Sequence, residues 1–174
     1  MRYELSKLAL AAVLVTACLS GLSVQAAAGE IGRFGDWTAY EDGSGANKIC
    51  YMGSSPQKAE GNYTRRGPIF FLISHRPGDK VEGEVALETG YPFKKGSDAS
   101  AVIDGTTTFN LFTQGESAWN SGADADRKMV AAMKKGRRMV VKGHSQRGTQ
   151  TTDTYSLNGF TAAYDAISRA CKSG

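Results

Sequence analysis

The chain offers few side chains for acid–base or metal chemistry. Its 174 residues include two histidines, His75 and His144, so a zinc site built from three histidines cannot form within one chain. The sequence has no His-Glu-x-x-His spacing, no Gly-x-Ser-x-Gly elbow and no phosphate loop. Ser145 follows His144, but neighbouring residues of a strand point to opposite faces and make a poor nucleophile–base pair. We therefore predict a non-enzymatic protein with no catalytic residue, no metal site and no cofactor; a hydrolase with an unrecognised site is the remaining alternative.

Two other positions invite a functional interpretation. His75 ends an apolar run just before a Pro-Gly turn, so we expect it at a strand end, and we expect His144 to face solvent. Asp36 stands beside Trp37 and could suggest a carboxylate in a sugar site. Gly-Asp more often forms a turn before a strand whose Trp packs in the core. Without a second placed carboxylate, the sequence does not support a glycosidase.

The cysteines predict one disulfide. Of the three cysteines, Cys18 lies in the N-terminal segment, which leaves Cys50 and Cys171. An even pair in an exported chain is typical of a bridge, and two separate buried thiols are the alternative. The bridge would close a loop of about 120 residues, which contributes roughly 4–5 kcal/mol in the chain-entropy model. Because there is no Cys-x-x-Cys spacing, we expect no redox role.

The N-terminal segment predicts export. Arg2 and Lys7 precede an apolar stretch at residues 8–15, and residues 24–26 offer the small side chains that a signal peptidase recognises. We therefore expect residues 1–26 to be a signal peptide that is removed. The apolar stretch is shorter than the roughly 20 residues of a membrane span, so no span is expected.

Residues 27–174 are expected to form one domain in the periplasm or at the outer cell surface. An alternative concerns the processing site, because residues 15–18 resemble a lipobox in which Cys18 would carry a lipid anchor. The residues after Cys18 stay apolar, which favours plain secretion. Both routes export the protein.

The charge pattern favours an anionic partner other than nucleic acid. The formal net charge is +4 over the whole chain, which is too small for a dedicated nucleic-acid binder. A stretch without acids nevertheless carries eight basic residues: Arg127, Lys128, Lys134, Lys135, Arg137, Arg138, Lys142 and Arg147. We interpret it as a candidate basic patch for an unknown envelope or host-surface component, such as lipopolysaccharide, phospholipid head groups or acidic host glycans. An ordinary solvated face is the alternative.

The body of the chain has the pattern of short strands. An apolar run at residues 69–73 predicts a central strand, and alternation over residues 81–88 predicts a strand with one wet face. Asp104-Gly105 lies between two strand-like segments and predicts a hairpin. The segment 149–156 is rich in Thr and Tyr, as strands prefer.

Two segments instead predict helices. The first, residues 124–135, begins with acids and ends with bases before Gly136, and Met129, Val130 and Met133 form its apolar stripe. The second covers about residues 160–170 and places Phe160, Ala163, Tyr164 and Ile167 on one face. Many short strands with two short helices predict a mainly β fold, a single antiparallel β-sandwich whose second helix is C-terminal.

Three segments together resemble the invasion-associated locus B family. They are residues 34–38 (Phe-Gly-Asp-Trp-Thr), residues 131–136 (Ala-Ala-Met-Lys-Lys-Gly) and residues 155–163 (Tyr-Ser-Leu-Asn-Gly-Phe-Thr-Ala-Ala). The resemblance implies an exported alphaproteobacterial envelope protein with an immunoglobulin-like β-sandwich. It also implies a link to host association and virulence for founding members, without an established molecular activity. Many members carry a second cysteine pair, which residues 112–122 of this chain lack.

A second functional hypothesis belongs to a different class. A β-sandwich with a free edge can take up a strand from a partner, as periplasmic chaperones and adaptors do. The segment 149–154 is polar on both faces and is the expected edge. The sequence therefore leaves open an adaptor that binds by strand addition.

Overall fold

The structure, a computed structural model, describes residues 29–172. The expected signal peptide and the alternative lipid anchor at Cys18 lie outside these residues. The strands are β1 (Gly29–Phe34), β2 (Trp37–Asp42), β3 (Ile49–Ser54), β4 (Lys58–Gly61), β5 (Phe70–Arg76), β6 (Val81–Glu88), β7 (Ala99–Ile103), β8 (Thr107–Gln114), β9 (Ser117–Trp119), β10 (Arg138–His144) and β11 (Gln150–Ser156). The helices are α1 (Ala123–Lys135) and α2 (Phe160–Lys172). Neither helix of this range is long and apolar enough to cross a membrane.

The strands form one antiparallel sheet that turns over on itself. Their order is β1-β2-β3-β5-β6-β9-β8-β7-β10-β11-β4. The turning point is β8, because residues 107–111 pair with β7 and residues 112–114 pair with β9. The strands on the two sides of β8 thereby become two halves that can face each other.

The core lies between these halves. The rings of Phe71 on β5 and Tyr155 on β11 meet edge to face with centroids 5.7 Å apart. Trp37 on β2 is completely buried, and its Nε1 donates to the Ser156 carbonyl over 3.0 Å. The predicted fold class is confirmed: the protein is mainly β, with antiparallel strands and two helices, the second at the C-terminus. The expectation that Gly35-Asp36 is a turn before a core Trp is also confirmed.

The two helices cover the part of the first half that the second half leaves open. Helix α1 packs against β6 and buries the predicted stripe of Met129, Val130 and Met133. Helix α2 packs against β1, β2, β3 and β5 through its apolar face. Of the predicted face, Phe160, Ala163 and Ile167 are buried and Tyr164 is half-buried.

A disulfide joins α2 to the sheet, as the cysteine count predicts. Cys50 on β3 is completely buried and bonds to Cys171 in the last turn of α2, with Cα atoms 5.8 Å apart. The bridged residues are 121 positions apart in the sequence. Because α2 is the last element, the bridge closes nearly the whole described chain into one loop.

The expected free edge at residues 149–154 is wrong. Strand β11 pairs with β10 on one side and with β4 on the other. The edge is β4 itself, which the sequence did not reveal because all four of its residues are exposed and show no apolar alternation. The polar side chains of β11 that looked solvent-facing include Thr151 and Asp153, which are buried.

Two turns that are far apart in the sequence meet through their backbones. The turn between β1 and β2 has Gly35 at φ 57°, and the turn before α2 has Gly159 at φ 86°. The amide of Asp36 donates to the carbonyl of Asn158 over 3.1 Å. A Cβ at Gly35 would lie 2.7 Å from that same oxygen, and a Cβ at Gly159 would overlap the carbonyl oxygen of Phe34. Both positions need glycine for the left-handed backbone and for the close approach.

We predict that Gly159→Ala lowers the free energy of unfolding by more than about 3 kcal/mol, because a backbone overlap adds to a left-handed strain of roughly 1–2 kcal/mol. Gly148 provides a matched control, since its φ is 84° and open space surrounds its Cβ position. Gly148→Ala should therefore lower the free energy of unfolding only by the strain of the left-handed backbone. Urea denaturation of both variants measures the difference. Equal losses would show that the contact with Phe34 contributes nothing.

Candidate functional site

The predicted basic patch is exposed but divided between the two ends of the sandwich. All eight of its side chains are exposed. Four lie on α1 and two directly follow it, whereas Arg147 lies in the loop after β10. Strand β10 has seven residues, or about 23 Å at roughly 3.3 Å per residue. The structure therefore groups Arg127, Lys128, Lys134, Lys135, Arg137 and Arg138 near one end, with Lys142 along β10 and Arg147 at the other end.

Acidic groups compensate much of the charge near α1. Arg127 forms an ion pair with Asp124 of the same helix. Lys134 Nζ lies 3.4 Å from Asp165 and 4.0 Å from the ring centroid of Tyr164. Asp104 accepts hydrogen bonds from the amides after α1, which lower the pKa of its carboxyl. Two of the six cations near α1 are thus in ion pairs and Asp104 lies close to two more, so the net positive charge of this end is reduced but not cancelled.

The other end carries a cleft of about 530 Å³. Residues 62–66 between β4 and β5, residues 90–92 after β6 and the loop from Ser145 form its walls. Its lining includes three arginines, Arg65, Arg66 and Arg147, and no acidic residue, although Arg66 is paired with Asp153 behind the wall. We call this site the arginine cleft.

The innermost arginine of the cleft is fixed by a buried ion pair. Arg66 donates through both terminal nitrogens to the two carboxylate oxygens of Asp153, each over 2.6 Å, and through Nε to the Thr89 carbonyl over 2.7 Å. The two side chains are 4% and 1% exposed. Burial disfavours the charged guanidinium, but the hydrogen bond and the charge of Asp153 outweigh it and raise the pKa of Arg66. Arg66 is therefore a permanent and immobile cation.

Two tyrosine rings contact this guanidinium. The Arg66 guanidinium carbon lies 4.9 Å from the ring centroid of Tyr91 and 5.6 Å from that of Tyr63. The hydroxyl of Tyr91 lies 2.6 Å from Thr151 Oγ1, and the hydroxyl of Tyr63 donates to the Ala59 carbonyl over 3.0 Å. These contacts tie the walls of the cleft to β11 and β4 and keep its shape.

Two cations at the mouth of the cleft are available to a ligand. Arg65 and Arg147 are exposed, and neither forms an ion pair among residues 29–172. Tyr63 and Tyr91 are among the residues that line the cleft, whereas His, Asp and Glu are not. Nor do the residues that the structure describes contain a cluster of metal-ligating side chains. Two exposed arginines beside one cleft suit the binding of an anion.

The sequence alone did not single out Arg65, Arg66 or Asp153. The first two lie far from the basic run, and Asp153 sits in a Thr-rich strand. A usable signal was the period of that strand, which places Asp153 on the same face as Tyr155. A carboxylate on a core face requires a cation nearby.

His75 is positioned by contacts that do not suit a nucleophile–base pair. It is buried on β5, where Nδ1 accepts a hydrogen bond from the Gly83 amide over 2.9 Å. Its Nε2 lies 3.0 Å from Ser168 Oγ. Since Nδ1 is the acceptor, a neutral ring carries its proton on Nε2 and donates to Ser168 instead of accepting from it. His144 is exposed, as expected.

We predict that Asp153→Asn lowers the free energy of unfolding by about 3–5 kcal/mol, because it leaves the Arg66 guanidinium buried without its counter-charge. The matched control is Glu60→Gln, which removes a carboxylate from the exposed pair of Lys58 and Glu60 on β4. This control should change stability by less than about 1 kcal/mol. Urea denaturation compares the two. Similar small effects would contradict the assignment of Arg66–Asp153 as an anchor.

We also predict that His75 titrates below its ordinary pKa of about 6.5, because burial disfavours the imidazolium. The unfolded chain then binds more protons below about pH 6.5, so this group's stabilisation is present above that pH and is lost as the pH falls. NMR titration resolves the protein's two histidines directly. His75→Gln should weaken the fall in stability between about pH 7.5 and about pH 5.5. A His75 pKa at or above 6.5 would contradict the prediction.

Comparisons with known proteins agree with this architecture. The family model described as Invasion associated locus B (IalB) protein matches residues 37–168. No curated protein and no solved structure matches. The matched region begins at the core residue Trp37 and continues into α2, so it includes both the turn at Asn158-Gly159 and the buried Asp153. The chain therefore belongs to the invasion-associated locus B family.

Proposed function

We propose that this chain is a non-enzymatic exported protein of the cell envelope, in the periplasm or at the outer cell surface. Its arginine cleft binds an anionic component through phosphate or carboxylate groups. The observation that carries the proposal is the pair of unpaired cations, Arg65 and Arg147, beside the immobilised Arg66. Arg66 already donates to Asp153 and Thr89, so its role is to fix the base of the cleft, and the exposed Arg65 and Arg147 meet the ligand.

Two further properties support the proposed location and ligand. The disulfide between Cys50 and Cys171 suits an oxidising compartment outside the cytosol. Phosphate groups of phospholipids and lipopolysaccharide are abundant in such a compartment, and acidic glycans coat host cells. Arginine forks recognise phosphate and carboxylate by paired hydrogen bonds.

Strand addition is less well supported than anion binding. The edge strand β4 is short, and it carries Lys58 and Glu60. The opposite edge strand β1 has a register shift between Glu30 and Gly32. Short length, charge and bulges are the features by which natural edge strands avoid pairing.

The proposal predicts that the protein binds phosphatidylglycerol vesicles and lipopolysaccharide micelles at low salt but not phosphatidylcholine vesicles. Arg65→Gln with Arg147→Gln should weaken binding by about tenfold or more, because these cations meet the phosphates directly. Co-sedimentation and surface plasmon resonance against rising salt measure the effect.

A charge-matched control separates the cleft from net charge. Lys128→Gln with Lys135→Gln removes the same charge from α1, and these side chains are also exposed. This control should bind within about twofold of the unmodified protein. Equal weakening by both pairs would show attraction to net charge alone, and absence of binding at low salt would overturn the proposal.

A further inference from the structure

Two aromatic rings lie side by side on the outer face of the sheet, away from the core. Phe112 of β8 and Trp119 of β9 are cross-strand partners with ring centroids 5.6 Å apart and an interplanar angle of 32°. Phe112 is 47% exposed, and Trp119 is half-buried. Single exposed apolar residues are common, but a paired platform beside a cavity marks a contact surface.

A cavity of about 570 Å³ opens beside this platform, between it and the N-terminal turn of α1. Pockets for small molecules fall in the range of about 300–1,000 Å³. Polar side chains complete the wall, among them Glu84, Gln114 and Asn120. We call this site the aromatic cleft. It shares no lining residue with the arginine cleft.

The polar groups of the aromatic cleft are held in place by their own contacts. Asp126 is buried, and its Oδ1 accepts from the Val85 amide over 3.2 Å and from Asn120 Nδ2 over 3.0 Å. Arg76 holds Glu84 through two hydrogen bonds of 2.6 and 3.0 Å. Such fixed acceptors lower the ordering cost of binding.

The charges that line the aromatic cleft nearly balance. The cations Lys80 and Arg127 face the carboxylates Glu82, Glu84 and Asp126. A phosphate or sulfate is therefore not selected, and neither is a cationic ligand. The site calls for a neutral molecule with one flat apolar face for the rings and hydroxyls at its rim for the acceptors.

A pyranose ring with equatorial substituents has both properties, because its C–H bonds form the face and its hydroxyls form the rim. We propose that the aromatic cleft binds a neutral β-linked oligosaccharide, with one ring stacked on Phe112 and Trp119 and hydroxyls donating to Asp126 and Gln114. A stable protein partner would need about 1,000 Å² or more of complementary surface, which suits this confined site less well.

The probes for the test are cellotriose and N,N′,N″-triacetylchitotriose, with maltotriose as the α-linked comparison. The protein has two tryptophans, and Trp37 is completely buried, so a change in fluorescence on titration reports on Trp119. We expect a saturable response to at least one β-linked trisaccharide. The absence of any saturable response, or a response to maltotriose alone, would overturn the proposal.

Matched variants locate the binding. Phe112→Ala should weaken it by about tenfold or more, as loss of an aromatic anchor does. Phe70→Ala is the control, because Phe70 is 42% exposed elsewhere in the sheet and should leave binding unchanged. Isothermal titration calorimetry measures all variants, including Trp119→Ala, whose fluorescence signal is lost. Since Phe112 is nearly half exposed, its removal leaves a folded protein even if Trp119→Ala is unstable.

Two controls separate this site from the arginine cleft. Binding of the trisaccharide should not change between low and high salt, and it should persist when Arg65 and Arg147 are replaced by glutamine. Equal weakening by Phe112→Ala and Phe70→Ala would indicate non-specific adhesion to apolar surface and would overturn the proposal. Loss of binding in the arginine variants would also overturn it.

Discussion

The contact between the turn at Gly35 and the turn at Gly159 joins the first two strands to the start of helix α2. Each glycine precedes a large core residue, Trp37 or Phe160, whose rings meet at a right angle with centroids 4.9 Å apart. The hydrogen bond from Trp37 to Ser156 crosses to the other half of the sheet. The position of Trp37, the largest core side chain, thus depends on two turns in which only glycine fits. The disulfide to Cys171 secures the same helix at its far end.

The opposite end of the sandwich is held by charge instead of backbone contact. The Arg66–Asp153 pair ties the segment before β5 to β11, and the Arg66 Nε bond to Thr89 adds the segment after β6. A buried ion pair contributes little net stability compared with an apolar replacement. Its geometric effect is larger, because it fixes a guanidinium and two tyrosine rings at the base of a cleft. The two ends of the fold therefore differ in kind: one is closed by packing, and the other remains open to ligands.

Local patterns predicted the elements well where one face of an element is buried. The alternation over β6 and the stripes of α1 and α2 correspond to buried positions in the structure. The Asp104-Gly105 turn joins β7 to β8 as expected. The sequence did not predict strand β4, because its four exposed residues have no pattern that distinguishes them from a loop. Its presence also weakens the strand-addition hypothesis, because β4 pairs with β11, the strand that had been expected to receive a partner.

The sequence by itself determined the cysteine pair, the fold class and the turn at Gly35-Asp36, because each depends on residue type and local spacing. The tertiary structure decided which charges are free. Arg147 was visible in the basic run, but Arg65 comes from a segment about 80 residues away. Both line one cleft because β4 pairs with β11, which places the loop after β4 beside the loop before β11. The run near α1 looked equally basic and is compensated in part by Asp124, Asp165 and Asp104. A sequence gives the number of basic residues. Binding depends on which of them lack a nearby opposite charge, and that depends on distances in the folded structure.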